Sequence, residues 1–169
     1  MTSDAERSLY WATALSVVLV DFATKLVAEA TLLRTTGSRI VGEYVQLRLV
    51  YNPGAAFGLH VGPYSRWIFF AIAIVAVVVL YRMSRSAPAG DWFRQLALGL
   101  VTGGAAGNLI DRLRSPQGVV DFLDFGIGTM RWPTFNVADI AVSLGAIALA
   151  ISLWREDTGT SRSESPSVP

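Results

Sequence analysis

The sequence predicts an all-α integral membrane protein, a bundle of four transmembrane helices carrying a small extramembrane β portion. Three observations lead there. Hydrophobic residues make up 52% of the 169 positions and charged residues only 16%, well below the roughly 25% charged content of soluble domains. Charges are absent from windows 8–20, 67–81, 95–110 and 140–154, and after the first of these apolar sequence continues past Asp21 and Lys25 to about Leu33. With its flanks each window reaches the roughly 20 residues of a bilayer span. Aromatic residues cluster at the window ends (Tyr10, Trp11, Tyr64, Trp67, Tyr81, Trp92, Trp154), as an interfacial belt does. A soluble bundle helix would show a polar stripe at helical spacing, and 67–81 has none on any face.

The expected spans are 9–30, 64–82, 93–113 and 137–154, within one domain covering 1–154. The first follows a short polar stretch, lacks an A-x-A-like cleavage site before Asp21 and is followed by more spans, so it is expected to stay as an anchor. In the long connection 31–63, the run Tyr44-Val45-Gln46-Leu47-Arg48-Leu49-Val50-Tyr51 alternates polar and apolar residues, the pattern of a half-exposed strand. Segment 83–92, rich in Ser, Pro and Gly, reads as a plain linker. Segment 114–133 mixes Gly, Pro and aromatics and reads as short strands or turns. Residues 155–169 end in a Ser/Pro-rich tail, expected to be disordered.

Four spans put both termini on one side and the two long connections on the other. Basic residues occur on both sides; Arg82, Arg85 and Arg94 around the short linker favour the cytoplasm for the terminal side. A net charge of +1 gives no basic patch for nucleic acid. With no cysteine and one histidine, His60, disulfides, zinc–thiolate sites and His-rich metal sites are excluded, and no cofactor is expected.

Two aspartates beside apolar sequence carry the chemistry. Asp139 lies about one turn into the fourth span, with Asn136 three residues earlier on the same helical face. A first-turn carboxylate can simply complement the helix dipole, and Asn136 can be its cap. Asp121 sits among Val119, Val120, Phe122 and Leu123, a setting that raises a carboxyl pKa; alone it could be a turn aspartate. Asp124 is the second-ranked acid of that loop. If Asp121 and Asp139 converge, they can share a proton and activate water.

Other polar groups sit where a substrate would need them. Gly99, Gly103 and Gly107 make small-xxx-small steps that admit a neighbouring helix, either within the chain or between chains. Asn108 and Arg112, four apart, share a face at the end of that span. They can hold a peptide backbone or a lipid's polar part, or serve as a cap and a snorkelling cation. Asp21 and Lys25, also four apart, can neutralise each other, and Lys25 is the only lysine. Asn52-Pro53-Gly54-Ala55-Ala56-Phe57-Gly58 follows the expected strand as a turn that allows close backbone approach.

Three other functions compete. Intramembrane acids also serve proton-coupled transporters, but the two halves share no repeat and the acids lie at span ends. A serine protease could use Lys25 or His60, yet no serine sits in a G-x-S-x-G elbow. A non-catalytic assembly protein built on the glycine face would leave both aspartates dispensable.

Together the pieces resemble signal peptidase II, the lipoprotein signal peptidase of bacteria. The blocks are Asp21-x-x-Thr24-Lys25; Asn52-Pro53-Gly54-Ala55-Ala56-Phe57-Gly58; Gly103-Gly104-Ala105-Ala106-Gly107-Asn108-x-x-Asp111-Arg112; Val119-Val120-Asp121-Phe122; and Phe135-Asn136-x-Ala138-Asp139, in family order. The resemblance implies an intramembrane aspartyl endopeptidase of the bacterial inner membrane, both termini cytoplasmic. It would cut diacylglyceryl-modified prolipoproteins just before the lipidated cysteine. It implies Asp121 and Asp139 as the catalytic dyad and Asn52, Gly54, Asn108, Arg112 and Asn136 as substrate-binding. Asp21 and Lys25 become supporting residues, and strands near 43–52 and 118–134 form a cradle on the outer face. Membrane lipids and lipid-modified prolipoproteins are the implied partners.

Overall fold

The structure, a computed structural model, describes residues 3–34, 37–54 and 62–163. Ala55 to Gly58 of the turn motif, His60 and the last residues of the tail lie outside the described residues. Among the described residues, four α-helices and a four-stranded sheet follow in the order α1 (Asp4–Thr31), β1 (Ser38–Val41), β2 (Val45–Asn52), α2 (Ser65–Ser86), α3 (Trp92–Arg114), β3 (Val119–Ile127), β4 (Met130–Arg131) and α4 (Val137–Ser163), with a 3-10 turn at Gly62–Tyr64 leading into α2.

The helices α1, α3 and α4 each begin where a side chain accepts one of their free N–H groups, whereas α2 starts at Tyr64 with no side-chain cap. Ser3 and Glu6 form a reciprocal capping box at α1, and Asp91 accepts the N–H of Arg94 at α3. At α4, Asn136 Oδ1 accepts the N–H of Asp139 at 3.0 Å while Asp139 Oδ2 accepts the N–H of Asn136 at 3.2 Å. Asn136 is therefore the cap that its place before the apolar run predicts.

Among the described residues, three helical segments are long and apolar enough to cross a membrane: Asp4–Thr31, Gly62–Ser86 and Val137–Glu156, with mean hydropathies of 1.5, 2.2 and 2.0. They expose large apolar side chains, among them Leu19, Val27, Ile72, Val75, Leu144 and Ile147. The helix α3 falls outside this group because Arg94, Gln95, Thr102, Asp111, Arg112 and several glycines dilute its apolarity; all are buried. It packs against each of the other three helices, so its polar groups meet protein partners. Gln95, for instance, accepts from Ser84 Oγ at 2.7 Å and donates to the Ser84 carbonyl at 2.8 Å.

The glycine stripe of α3 lets these helices touch. A Cβ at Gly103 would lie 2.7 Å from the Ala14 carbonyl of α1, and one at Gly107 would lie 2.5 Å from Asp21 Oδ2. Gly104 faces the other way, onto the Ala138 carbonyl and Val142 of α4. The stripe packs within the chain.

The sheet is antiparallel in the order β1-β2-β3-β4 and gathers where α1 and α3 end and α4 begins. In the β2–β3 register, Val50 lies opposite Asp121 and Asn52 opposite Val119. Gly118, at φ 104°, opens β3 against the Asn52 carbonyl, where any Cβ would collide.

Several boundaries differ from expectation. The helix α2 continues through Ser86 because Ser84 is locked to Gln95, and it stops before Pro88. The linker therefore shrinks to 87–91. The helix α4 runs on to Ser163, so 155–163 is helical rather than disordered; Glu156 is held by Arg94 at 2.7 Å. β1 occupies residues that carry no strand pattern of their own.

Candidate active site

Asp121 and Asp139 are brought to one cavity of about 720 Å³, with Asn52, Asn108 and Arg112 in the same wall. Asp121 arrives on β3, buried to 2% exposure. Asp139 arrives on the first turn of α4 and is half-buried. Asn136, fully buried, joins them: its Nδ2 donates to Asp121 Oδ1 at 2.7 Å, and its backbone N–H is the one received by Asp139.

The remaining carboxylate oxygens have their own donors. Asn52 Nδ2 reaches Asp121 Oδ2 at 3.2 Å, and Asn108 Nδ2 reaches Asp139 Oδ1 at 2.9 Å. The amide orientations are set by what the oxygens accept. Asn52 Oδ1 takes the Gly54 N–H at 3.0 Å, and Asn108 Oδ1 takes Lys25 Nζ at 2.9 Å and Asn136 Nδ2 at 3.1 Å. All five amide, glycine and arginine positions expected at the site therefore form one connected network with the two acids.

Burial pushes the Asp121 carboxyl up to about 7, helped by the negative charge of Asp139; hydrogen bonds from Asn52 and Asn136 and the charge of Lys25 oppose the rise.

Arg112 is the cationic edge of the cavity. Its Nη2 donates to the Gly54 carbonyl at 2.9 Å and Nη1 to the Asn108 carbonyl at 3.1 Å. Its Nε is buried and has no partner among the described residues, although a buried donor without an acceptor is costly. That N–H can donate to a carbonyl of an occupant of the cavity. Replacing Arg112 by Lys removes both the planar fork and Nε. A loss of about 10- to 100-fold in kcat/KM is expected, the scale of one or two hydrogen bonds to a charged group. Steady-state kinetics of the Arg112→Lys variant against wild type checks it.

Residues 13–155 match the family model described as signal peptidase (SPase) II. The chain belongs to the signal peptidase II family. A lipoprotein signal peptidase from Oleidesulfovibrio alaskensis is 39% identical over 142 residues, covering 82% of this chain and 90% of its own. Another from Paraburkholderia phytofirmans is 38% identical over 164 residues, covering 94% and 93%. One from Rhodococcus jostii is 41% identical over 150 residues, covering 86% and 72%. Among solved structures, a chain described as a bacterial membrane enzyme determined by the in meso method matches with a TM-score of 0.80 at 30% identity, over 95% of this chain and 94% of that one.

In this signal peptidase II chain the structure also reaches residues that the sequence left aside. Asp21 and Lys25 pair as expected, at 2.7 Å, but outside the cavity wall and together with Asp111. The clue in the sequence was the lone lysine, since an ammonium has three donors and one carboxylate cannot occupy them all. Arg66 also went unnoticed; it closes the end of α3 by donating to the Arg112 and Leu113 carbonyls at 2.6 and 3.1 Å. Asp124 is turned to Arg131 at 2.9 Å, where it pins the hairpin β3–β4.

Proposed function

We propose that this chain is an aspartic endopeptidase that removes signal peptides from lipid-modified prolipoproteins, cutting just before the diacylglyceryl cysteine. Family membership supports the substrate class. The observation that carries the chemistry is the bridge by Asn136, which donates to Asp121 through its side chain and to Asp139 through its backbone while both acids face one cavity.

The dyad works with one proton. Its ionised carboxylate takes a proton from a water molecule, which attacks the scissile carbonyl, and its protonated carboxyl donates to the carbonyl oxygen as the tetrahedral intermediate forms. The carboxyl that took the proton from water then gives it to the leaving amine as the C–N bond breaks, while the other carboxylate takes the hydroxyl proton of the collapsing intermediate, so the pair again holds a single proton. Asn52, Gly54, Asn108 and Arg112 orient the peptide backbone beside the dyad. Diacylglycerol held in the bilayer keeps the scissile bond at the depth where α4 begins.

The membrane arrangement belongs to the same proposal. The helix α3 is the third of four spans, shielded from lipid by its neighbours. Both termini face the cytoplasm of a bacterial inner membrane, and the sheet forms the outer cradle.

Since the dyad needs its shared proton, activity falls as pH rises through the value of Asp121. The alkaline limb of kcat/KM is expected near pH 7, with about a tenfold loss per further pH unit. A pH series in buffers of constant ionic strength measures it.

The reading itself is tested by reconstituting the full chain in liposomes with a diacylated precursor and weighing the products. The expected products are a free signal peptide and a protein beginning at the lipidated cysteine. Cleavage elsewhere, or equal cleavage of the unmodified precursor, contradicts it.

A further inference from the structure

Lys25 is fully buried, and its ammonium meets three acceptors: Asp21 Oδ2 at 2.7 Å, Asp111 Oδ2 at 2.8 Å and Asn108 Oδ1 at 2.9 Å. The ammonium is thus ion-paired with two carboxylates and donates to the Asn108 amide oxygen, the pairing that a buried charge requires. Both carboxylates of this cluster are themselves fully buried and stand outside the cavity wall. Each also accepts a backbone N–H. Asp21 Oδ1 accepts the N–H of Ala138 at 2.9 Å, and Asp111 Oδ2 accepts the N–H of Val120 at 3.1 Å.

Those two N–H groups are not arbitrary points. Ala138 immediately precedes Asp139, and Val120 immediately precedes Asp121. One ammonium therefore ties α1 and α3 to the starts of α4 and β3 at the residues adjoining the two acids. Through Asn108 it adds a third link, because the Asn108 oxygen is taken by Lys25 and its amide nitrogen is left to face Asp139. Arg114 Nε completes Asp111 by pairing with its Oδ1 at 2.8 Å.

We propose that Lys25, Asp21 and Asp111 form a positioning clamp that sets the placement of Asp121 relative to Asp139, with Asp111 holding the β3 side. The proposal rests on the reading of Asp121 and Asp139 as the catalytic pair. A cluster serving the fold alone could grip β3 and α4 anywhere along their lengths. Gripping each one residue before a working carboxylate transmits any slack directly to the reacting atoms, where a misplacement of about 1 Å can reduce rate by about 10²-fold.

The test compares Asp111→Asn with Asp111→Leu in the full chain reconstituted in liposomes with a diacylated precursor. Asparagine keeps an oxygen for the Val120 N–H; leucine offers no acceptor. The folded fraction is measured by gel filtration and thermal melting, and kcat is expressed per folded molecule. Leucine is expected to lower kcat about 10²-fold and asparagine about tenfold, with KM within about threefold of wild type because the substrate-facing groups are untouched. If the leucine variant does not fold, the asparagine variant decides.

A wild-type kcat per folded molecule in the decisive variant, with only melting temperature or yield reduced, overturns the clamp. Asp121→Asn and Asp139→Asn are run alongside. If they are inactive while the Asp111 variants keep full kcat, the clamp alone fails. If they too cleave at the wild-type rate, the catalytic reading fails and the clamp with it.

Discussion

Asp139→Asn is expected to lower the rate of precursor cleavage by about 10³-fold or more, and Asp121→Asn by a similar factor, while the protein remains folded. Asparagine has the size of aspartate but cannot take a proton from water or deliver one to a carbonyl, and general acid–base catalysis contributes about 10²–10⁴. The local change is small. At position 139 two donors, Asn108 Nδ2 at 2.9 Å and the Asn136 N–H at 3.2 Å, now meet one amide oxygen instead of two carboxylate oxygens. Weakening one arm of the α4 cap costs about 1 kcal/mol. At position 121 the same holds for Asn136 and Asn52, against the relief of no longer burying an acid. Melting temperatures within a few degrees of wild type, together with lost cleavage, separate chemistry from folding.

Gly104→Val is expected to fail in the opposite order, through the fold first. A Cβ at 104 would fall on the Ala138 carbonyl and 2.7 Å from Val142 Cγ2, and the backbone carbonyl cannot rotate aside as a side chain can. Overpacking of this kind costs about 1–3 kcal/mol or more, roughly a 5–10 °C loss in melting temperature for a chain of this size. The α4 start, which carries Asn136 and Asp139, is what must shift. Cleavage per folded molecule should therefore fall about 10²-fold as well, as measured by melting and kinetics on the same preparation. A wild-type rate in a fully folded variant would place the α3–α4 contact outside the site's support.

Much of this arrangement is legible in the residues, for reasons that differ by element. The helices announce themselves because lipid-facing and core-facing positions are both apolar, so charge-free windows mark them. Their ends are harder: α2 outruns its apolar window because Ser84 finds Gln95, a partner 11 positions away that no periodicity reveals. Asn136 is readable as a cap and as a site residue for the same local reason, its spacing to Asp139. β1 was invisible because Ser38–Val41 is exposed throughout and owes its form to pairing with β2. The placement of Asp111 was hidden as well. Its partners Lys25 and Val120 come from a distant helix and the next strand, and helical spacing from Asn108 and Arg112 says nothing about them. The glycine stripe predicted close helix contact, and only the fold shows that α1 and α4 supply it within the chain.

The most direct measurement is a double-mutant cycle on the two acids: wild type, Asp121→Asn, Asp139→Asn and the double variant, assayed in liposomes on a diacylated precursor with the folded fraction determined for each. Groups that act as one catalytic unit lose nearly everything when either is removed. The predicted result is that each single variant is reduced about 10³-fold or more and the double variant matches them within about threefold. A single variant that, fully folded, keeps more than about a tenth of wild-type cleavage would contradict a shared dyad, as would a double variant whose loss is the product of the two single losses.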